Sequence, residues 1–258
     1  MKAQPIHTAM LARFEEIDFR PTPLGELVLR RRTMTTLDNL EIYEILLGPE
    51  FLMSSLFTEV EEQLSRMGLA AASKVFPGKN QLDIVVGGLG LGYTARAALE
   101  HDTVRSLVVV DYLEPVIEWH QQGLVPLGKG LTADPRCRFE HGDFFKRAHA
   151  SGDELSFDPT DNDKKFHAIL LDIDHTPEFL LHDSHGSFYQ PAGLFKMAEK
   201  LHPGGIFALW SDGFPIEAFE KNLAEVFPHC ESHVVHFPNP IMGGDSTGTV
   251  YVARLEQP

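Results

Sequence analysis

Cysteine is scarce in this chain: Cys137 and Cys230 are the only two among 258 residues. They lie far apart and belong to no CxxC or Cys/His ladder, which argues against a disulfide-built fold and a structural zinc site. Basic residues are also short, with 22 Lys+Arg against 37 Asp+Glu and a formal charge of −15. Phosphate backbones and anionic membrane surfaces select clustered cations, so neither nucleic acid nor a membrane is an expected partner. A cationic partner is compatible with that balance. No apolar run approaches about 18 residues, so no segment is expected to span a bilayer. Met1 to Met10 hold one Lys, an early Pro5 and no apolar run, which does not read as a signal peptide. The expected location is cytoplasmic. No Gly-x-Ser-x-Gly elbow, P-loop or internal repeat occurs, which removes the hydrolase and nucleoside-triphosphatase readings.

What is present is an ordinary globular composition, 43% hydrophobic and 23% charged, in a chain long enough to bury a full core. Residues 1–48 carry near-alternating apolar positions at Leu24–Leu29 and Asn39–Ile45, the pattern of short antiparallel strands with one wet face. From 49 to 258 a second domain is expected. It opens with a helix from about Pro49 to Ala71, marked by Met53, Leu56, Phe57, Val60, Leu64 and Met67 at helical spacing. Short, continuously apolar runs then alternate with helical patterns: Ile84–Val86, Leu107–Val110, Ala168–Leu171 and Gly205–Trp210. Such runs predict an α/β fold, a parallel sheet covered on both faces. Ser232–Phe237 and Thr247–Leu255 read as an antiparallel pair closing one edge. The polar stretch Ser151–Lys165 reads as a surface loop.

The unusual residues fall at the carboxyl ends of the expected parallel strands, where doubly wound sheets bind ligands. Gly88-x-Gly90-x-Gly92 follows the first of them. The dinucleotide fingerprint requires a sixth-position glycine, which here is Tyr93, so the loop suits a nucleoside without a phosphate chain. Asp111 ends the second strand, where a carboxylate can accept from ribose hydroxyls. Asp143 follows the third, placed to accept from an adenine amino group. Asp172 ends the fourth. A lone Asp after a strand is commonly a cap or turn former; three at consecutive strand ends point to a bound adenosine.

These residues resemble the spermidine synthase-like (polyamine aminopropyltransferase-like) family of class I S-adenosylmethionine-dependent transferases. The likeness is carried by Tyr43-Glu44-Ile45 in the N-terminal strands, by Val109-Val110-Asp111-Tyr112-Leu113-Glu114 and by Gly142-Asp143. It continues in Leu171-Asp172-Ile173-Asp174-His175-Thr176-Pro177, Ser187-Phe188-Tyr189 and Leu201–Gly205. The resemblance implies a Rossmann-like class I methyltransferase fold, with a mostly parallel seven-stranded sheet and a small N-terminal β-strand region. It implies S-adenosylmethionine or decarboxylated S-adenosylmethionine as cofactor and a small cationic amine as acceptor, with a homodimer as a further implication. Two departures stand out. The acid of the family's glycine motif is absent, its place being read as apolar Leu91, and the second Asp of the catalytic loop, Asp174, comes one residue early.

On this reading Gly88, Gly90, Gly92, Asp111 and Asp143 bind the cofactor. Asp172 and Asp174 are the catalytic candidates, able to stabilise charge developing on an attacking amine and to take its proton. Tyr43, Tyr189 and Asp212 are candidates for the acceptor pocket. The leading expectation is transfer of an aminopropyl group to a small amine. The alternatives are methyl transfer on the same scaffold and a non-catalytic adenosyl-ligand-binding protein. The crowding of Asp172, Asp174, His175, His182, Asp183 and His185 leaves a metal site in that loop as an open question, and no metal ligand is assigned.

Overall fold

The computed structural model describes residues 14–78, 80–151 and 154–257; the N-terminal stretch read above for a signal peptide lies outside them. Two compact units divide between Leu56 and Phe57. The first is a four-stranded antiparallel meander of β1 (Phe14–Thr22), β2 (Gly25–Met34), β3 (Leu40–Leu47) and β4 (Glu50–Ser54). Both strands expected from alternation are present as β2 and β3, and β1 and β4 flank them. The expected helix start at Pro49 is therefore corrected: Glu50–Ser54 pairs with β3, and the boundary falls after residue 56 instead of 48. The apolar residues Phe51 and Met53 supply β4, and a spacing count that extends a helical stripe backwards absorbs them. Within this unit Glu44 is buried and accepts from Arg30 (2.6 Å) and Arg32 (2.8 Å).

The second unit begins with α1 (Glu59–Val75) and continues through β5 (Leu82–Gly87), α2 (Tyr93–Leu99) and β6 (Val104–Asp111). Next come α3 (Glu114–Gln122), α4 (Gly128–Ala133), β7 (Cys137–His141), α5 (Phe144–Ala148) and β8 (Phe166–Leu171). It ends with α6 (Pro191–Ala198), β9 (Leu201–Asp212), α7 (Glu217–Val226), β10 (His229–Pro238) and β11 (Asp245–Arg254). The strand order is β10-β11-β9-β8-β5-β6-β7. Strands β5 to β9 run parallel, while β11 pairs antiparallel with both β9 and β10. The seven-stranded, mostly parallel sheet and its closing antiparallel pair are as expected, and the fold is α/β and Rossmann-like.

Burial explains the continuous apolar strands. All six residues of β5 are buried, as are Leu107–Asp111 of β6 and Ala168–Leu171 of β8. Because the chain runs outward from β5 to β6 and β7 and then returns to β8 on the other side, the order reverses between β5 and β8. A crevice opens at the carboxyl ends of strands that diverge in this way.

The segment expected as a surface loop, Ser151–Lys165, carries a buried ring in its middle. Phe157 is fully buried between Phe144 (centroids 5.0 Å) and Phe166 (5.9 Å). Beside it, buried Asp158 accepts from Arg138 (3.0 Å) and Lys164 (3.1 Å). One aromatic residue in a polar run has no periodicity to announce it. Phe157→Ala is expected to lose about 3–5 kcal/mol in urea denaturation, whereas Leu155→Ala, at an exposed neighbour, changes stability by about 0.5 kcal/mol or less.

Candidate active site

The loop leaving β5 is shaped by two steric demands. Gly88 has φ +92°, and a Cβ there would stand 1.9 Å from the backbone carbonyl oxygen of Asp172. Only glycine lets the β5 and β8 ends meet so closely. Gly92, at φ +93°, starts α2, and a Cβ there would meet Leu131 at 2.5 Å and His120 at 2.8 Å. Between them the loop is fastened from both sides. The Leu89 amide donates to Asp111 Oδ2 at 2.8 Å, and His120 Nε2 lies 2.9 Å from the Gly90 carbonyl oxygen. Since a carbonyl only accepts, Nε2 carries the proton and donates. His120 is fully buried, and burial depresses its pKa to about 4, so it holds the loop as a neutral imidazole.

Asp111 is the hub of the loop. Its other oxygen accepts from the Leu113 amide at 2.8 Å, so one carboxylate ties the β5 and β6 turns together. Burial pushes its pKa upward, and the amides of Leu89, Leu113 and Gly90 pull it back. Asp143 caps α5, accepting from the Lys146 amide at 3.1 Å. Both acids stand at adjacent strand ends, as expected, and each also performs a structural task.

Asp172 differs from them. It follows β8, its amide donating to the Gly87 carbonyl (2.8 Å), and its Oδ2 accepts from Thr94 Oγ1 at 2.6 Å. Burial raises its pKa to about 6, against the pull of the Thr94 hydroxyl. Opposite it, on the first turn of α1, stands Glu61, 8% exposed. Burial, followed by the negative charge of Asp172, pushes Glu61 well above the ordinary carboxylate range. Sequence reasoning missed Glu61, because the helix was expected to begin near Pro49 and Asp172 lies 111 positions away. The Thr58 side chain makes no capping bond.

The other acceptor-side candidates have distinct settings. Asp174 is 1% exposed and fully engaged: it accepts from the Leu181 amide (2.7 Å), His185 Nδ1 (2.9 Å) and the Tyr189 hydroxyl (2.8 Å). Three donors meet on this buried carboxylate, and they fasten the loop after β8. Tyr189, expected in an acceptor pocket, is 1% exposed and spends its hydroxyl on Asp174. His185 completes that knot by stacking on Phe145 at 4.0 Å. Asp212 is exposed at the end of β9, where its amide donates to the His175 carbonyl (2.8 Å), so the β9 end and the loop after β8 share one rim. Tyr43 belongs to the N-terminal unit, its hydroxyl 3.5 Å from Glu41. Among the described residues no group of three or more His, Cys, Asp or Glu side chains is arranged to hold a metal ion, and no helix is long and apolar enough to cross a membrane.

Two outcomes check this geometry. Gly88→Ala forces the β5 and β8 ends apart and is expected to destabilise the chain by more than about 3 kcal/mol in denaturant titration. For His120 the folded pKa lies below the ordinary 6.5 of the unfolded chain. Its contribution is therefore complete above pH 6.5 and is lost as pH falls from 6.5 toward 4. Wild type is expected to lose about 3 kcal/mol more over that window than His120→Gln, read as the difference between two pH-dependent unfolding series.

No family model matches the chain. It is 28% identical over 167 residues to polyamine aminopropyltransferase 2 of Pseudomonas aeruginosa, covering 61% of this chain and 43% of that protein. It is 31% identical over 100 residues to the polyamine aminopropyltransferase of Pyrobaculum islandicum, covering 38% and 34%. The chain thus spans less than half the length of these curated relatives. In structure, 93% of it superposes on 72% of a spermidine synthase from Thermotoga maritima (TM-score 0.68, 14% identity). A spermidine synthase in complex with the transition-state analogue AdoDATO gives a TM-score of 0.67 at 15% identity, with the same coverage. Human methyltransferase-like protein 13, in complex with SAH, gives 0.54 at 16% identity over 76% of this chain and 82% of that one. At such identities the structural likeness speaks for the fold. The chain is similar in fold to spermidine synthases over nearly all its length and shares a stretch of sequence with polyamine aminopropyltransferases.

Proposed function

We propose that the chain is a transferase that takes an S-adenosyl donor into the crevice between β5 and β8 and alkylates a small amine, aminopropyl being the transferred group. The observation that carries this reading is Asp172, a carboxylate with a pKa near 6 fixed by Thr94 at the switch point of the sheet. The residues present suit an adenosyl group. Gly88 and Gly92 keep the loop backbone free of side chains, Asp111 retains acceptor capacity beyond its amide donors, and Asp143 follows the next strand. The fold is that of proteins described in complex with AdoDATO and SAH, which supports the donor class.

A bound sulfonium supplies an alkyl carbon whose bond electrons can leave onto sulfur. The protein's share concerns the acceptor. An amine with a pKa near 10 is mostly protonated at neutral pH, and freeing its lone pair costs about 1.36 kcal/mol per unit of difference. As the new nitrogen–carbon bond forms, positive charge grows on nitrogen, and a nearby carboxylate stabilises it. Above pH 6 Asp172 is ionised and can orient the amine, accept its proton and pass it to water. Glu61, pushed upward by burial and by the Asp172 charge, favours its neutral form beside it. Asp174 acts at one remove, keeping the loop after β8 in place.

Asp172→Asn is expected to reduce turnover of decarboxylated S-adenosylmethionine and putrescine by at least about 100-fold, with donor affinity within threefold of wild type. The same substitution removes a carboxyl whose pKa is raised on folding, so it is expected to stabilise the fold at pH 7 by up to about 3 kcal/mol. Turnover by wild type should rise as pH passes 6. A preference for intact S-adenosylmethionine, with methyl transfer to the amine, moves the assignment to a methyltransferase. An Asp172→Asn variant as active as wild type would contradict the role given to this residue.

A further inference from the structure

A second cluster lies at the opposite end of the sheet. The chain has a surplus of acids, and most of its Lys and Arg side chains pair with one. Lys74 and Arg254 are exceptions: among the described residues neither has an ion pair or a hydrogen-bond partner. They line the same cleft of about 560 Å³, formed by the last turn of α1, the start of β10 and the end of β11. His229 and Gln257 add polar edges, while Val75, Pro228 and Val252 give it apolar surface. The one acid lining it, Glu231, is 3.3 Å from His233 Nε2.

This cleft is separate from the crevice. Arg254 pairs in register with Ile206 of β9, and that strand runs on to Asp212 at the crevice rim. Six residues of strand amount to about 20 Å. At physiological ionic strength the Debye length is about 8 Å, so the net charge carried elsewhere is screened and the potential is set by the cleft's own charges, Lys74 and Arg254 against Glu231. Each lacks the counter-ion that the composition makes plentiful. Arg254 offers a planar fork matched to carboxylate or phosphate oxygens, and Lys74 offers a mobile ammonium.

We infer that this cleft binds a small organic anion, its carboxylate or phosphate group held between Lys74 and Arg254 and its carbon skeleton lying on Val75, Pro228 and Val252. The site stands independently of the reaction proposed for the crevice.

Cys230 lines the same cleft and is exposed, so its alkylation reports occupancy, with half-buried Cys137 as internal reference. The full chain is treated with N-ethylmaleimide in increasing inorganic phosphate or succinate, against sodium chloride at matched ionic strength, and the two cysteine peptides are quantified by mass spectrometry. Saturable slowing at Cys230 of at least threefold, with Cys137 unchanged, is expected from one or both anions. Protection by phosphate alone identifies a phosphoryl ligand, and protection by succinate alone a carboxylate. The protection should vanish in Lys74→Gln/Arg254→Gln. If that double variant fails to fold, Lys74→Gln alone, at an exposed position, should weaken apparent affinity at least threefold. The proposal is overturned if neither anion protects saturably, or if protection is equal in the folded variant.

Discussion

The crevice depends on a near-contact of two backbones, the Cα of Gly88 against the carbonyl oxygen of Asp172, with no room for a methyl group between them. From that contact the remaining geometry follows. The β5 turn is pressed against the β8 end, its Leu89 amide reaches Asp111 on the neighbouring strand, and the Asp172 side chain meets the Thr94 hydroxyl at the start of α2. His120 closes the arrangement from α3 by donating to the Gly90 carbonyl. The contact joins the two strands between which the order reverses, where a ligand-sized gap is a consequence of topology. Steric necessity at one glycine thus sets the positions of three side chains from three different elements.

The second constraint is electrostatic. Two carboxyls, Asp172 and Glu61, feel each other's charge, and burial works against both. A fold selected for stability alone would place amides or apolar groups there. Placing acids there raises both pKa values, which suits the proton-accepting role proposed for Asp172. The contrast with Asp174 is instructive. It is more deeply buried than Asp172, at 1% exposure, and accepts from three donors, which makes it a knot tying residues 174–189.

Much of this was legible in the sequence because it rests on local rules. Ile84–Val86, Leu107–Val110 and Ala168–Leu171 announce buried parallel strands by uninterrupted apolarity, and Gly88, Asp111, Asp143 and Asp172 follow strand ends at once. What stayed hidden depends on tertiary partners. Glu61 is separated from Asp172 by the whole β5 to β8 excursion. Phe157 is one buried ring in a polar run, and nothing within ten residues of Asp174 and Tyr189 signals that they bind each other. The strand β4 was read as helix because apolar spacing over five residues serves either period. The far cleft was invisible for a similar reason: Lys74 and Arg254 lie 180 positions apart, and only the folded chain shows that neither pairs with an acid among the described residues.

Adenosyl-ligand binding at Asp111 is the most direct test, since donor, acceptor and reaction all presuppose it. Isothermal titration of the chain and of Asp111→Ala with S-adenosylmethionine, its decarboxylated form and the thioether product measures it. Saturable binding of at least one of these by wild type, weakened by at least tenfold in a folded Asp111→Ala variant, is the expected result. No detectable heat with any of them, or equal affinity in the variant, would contradict an adenosyl site in the crevice between β5 and β8.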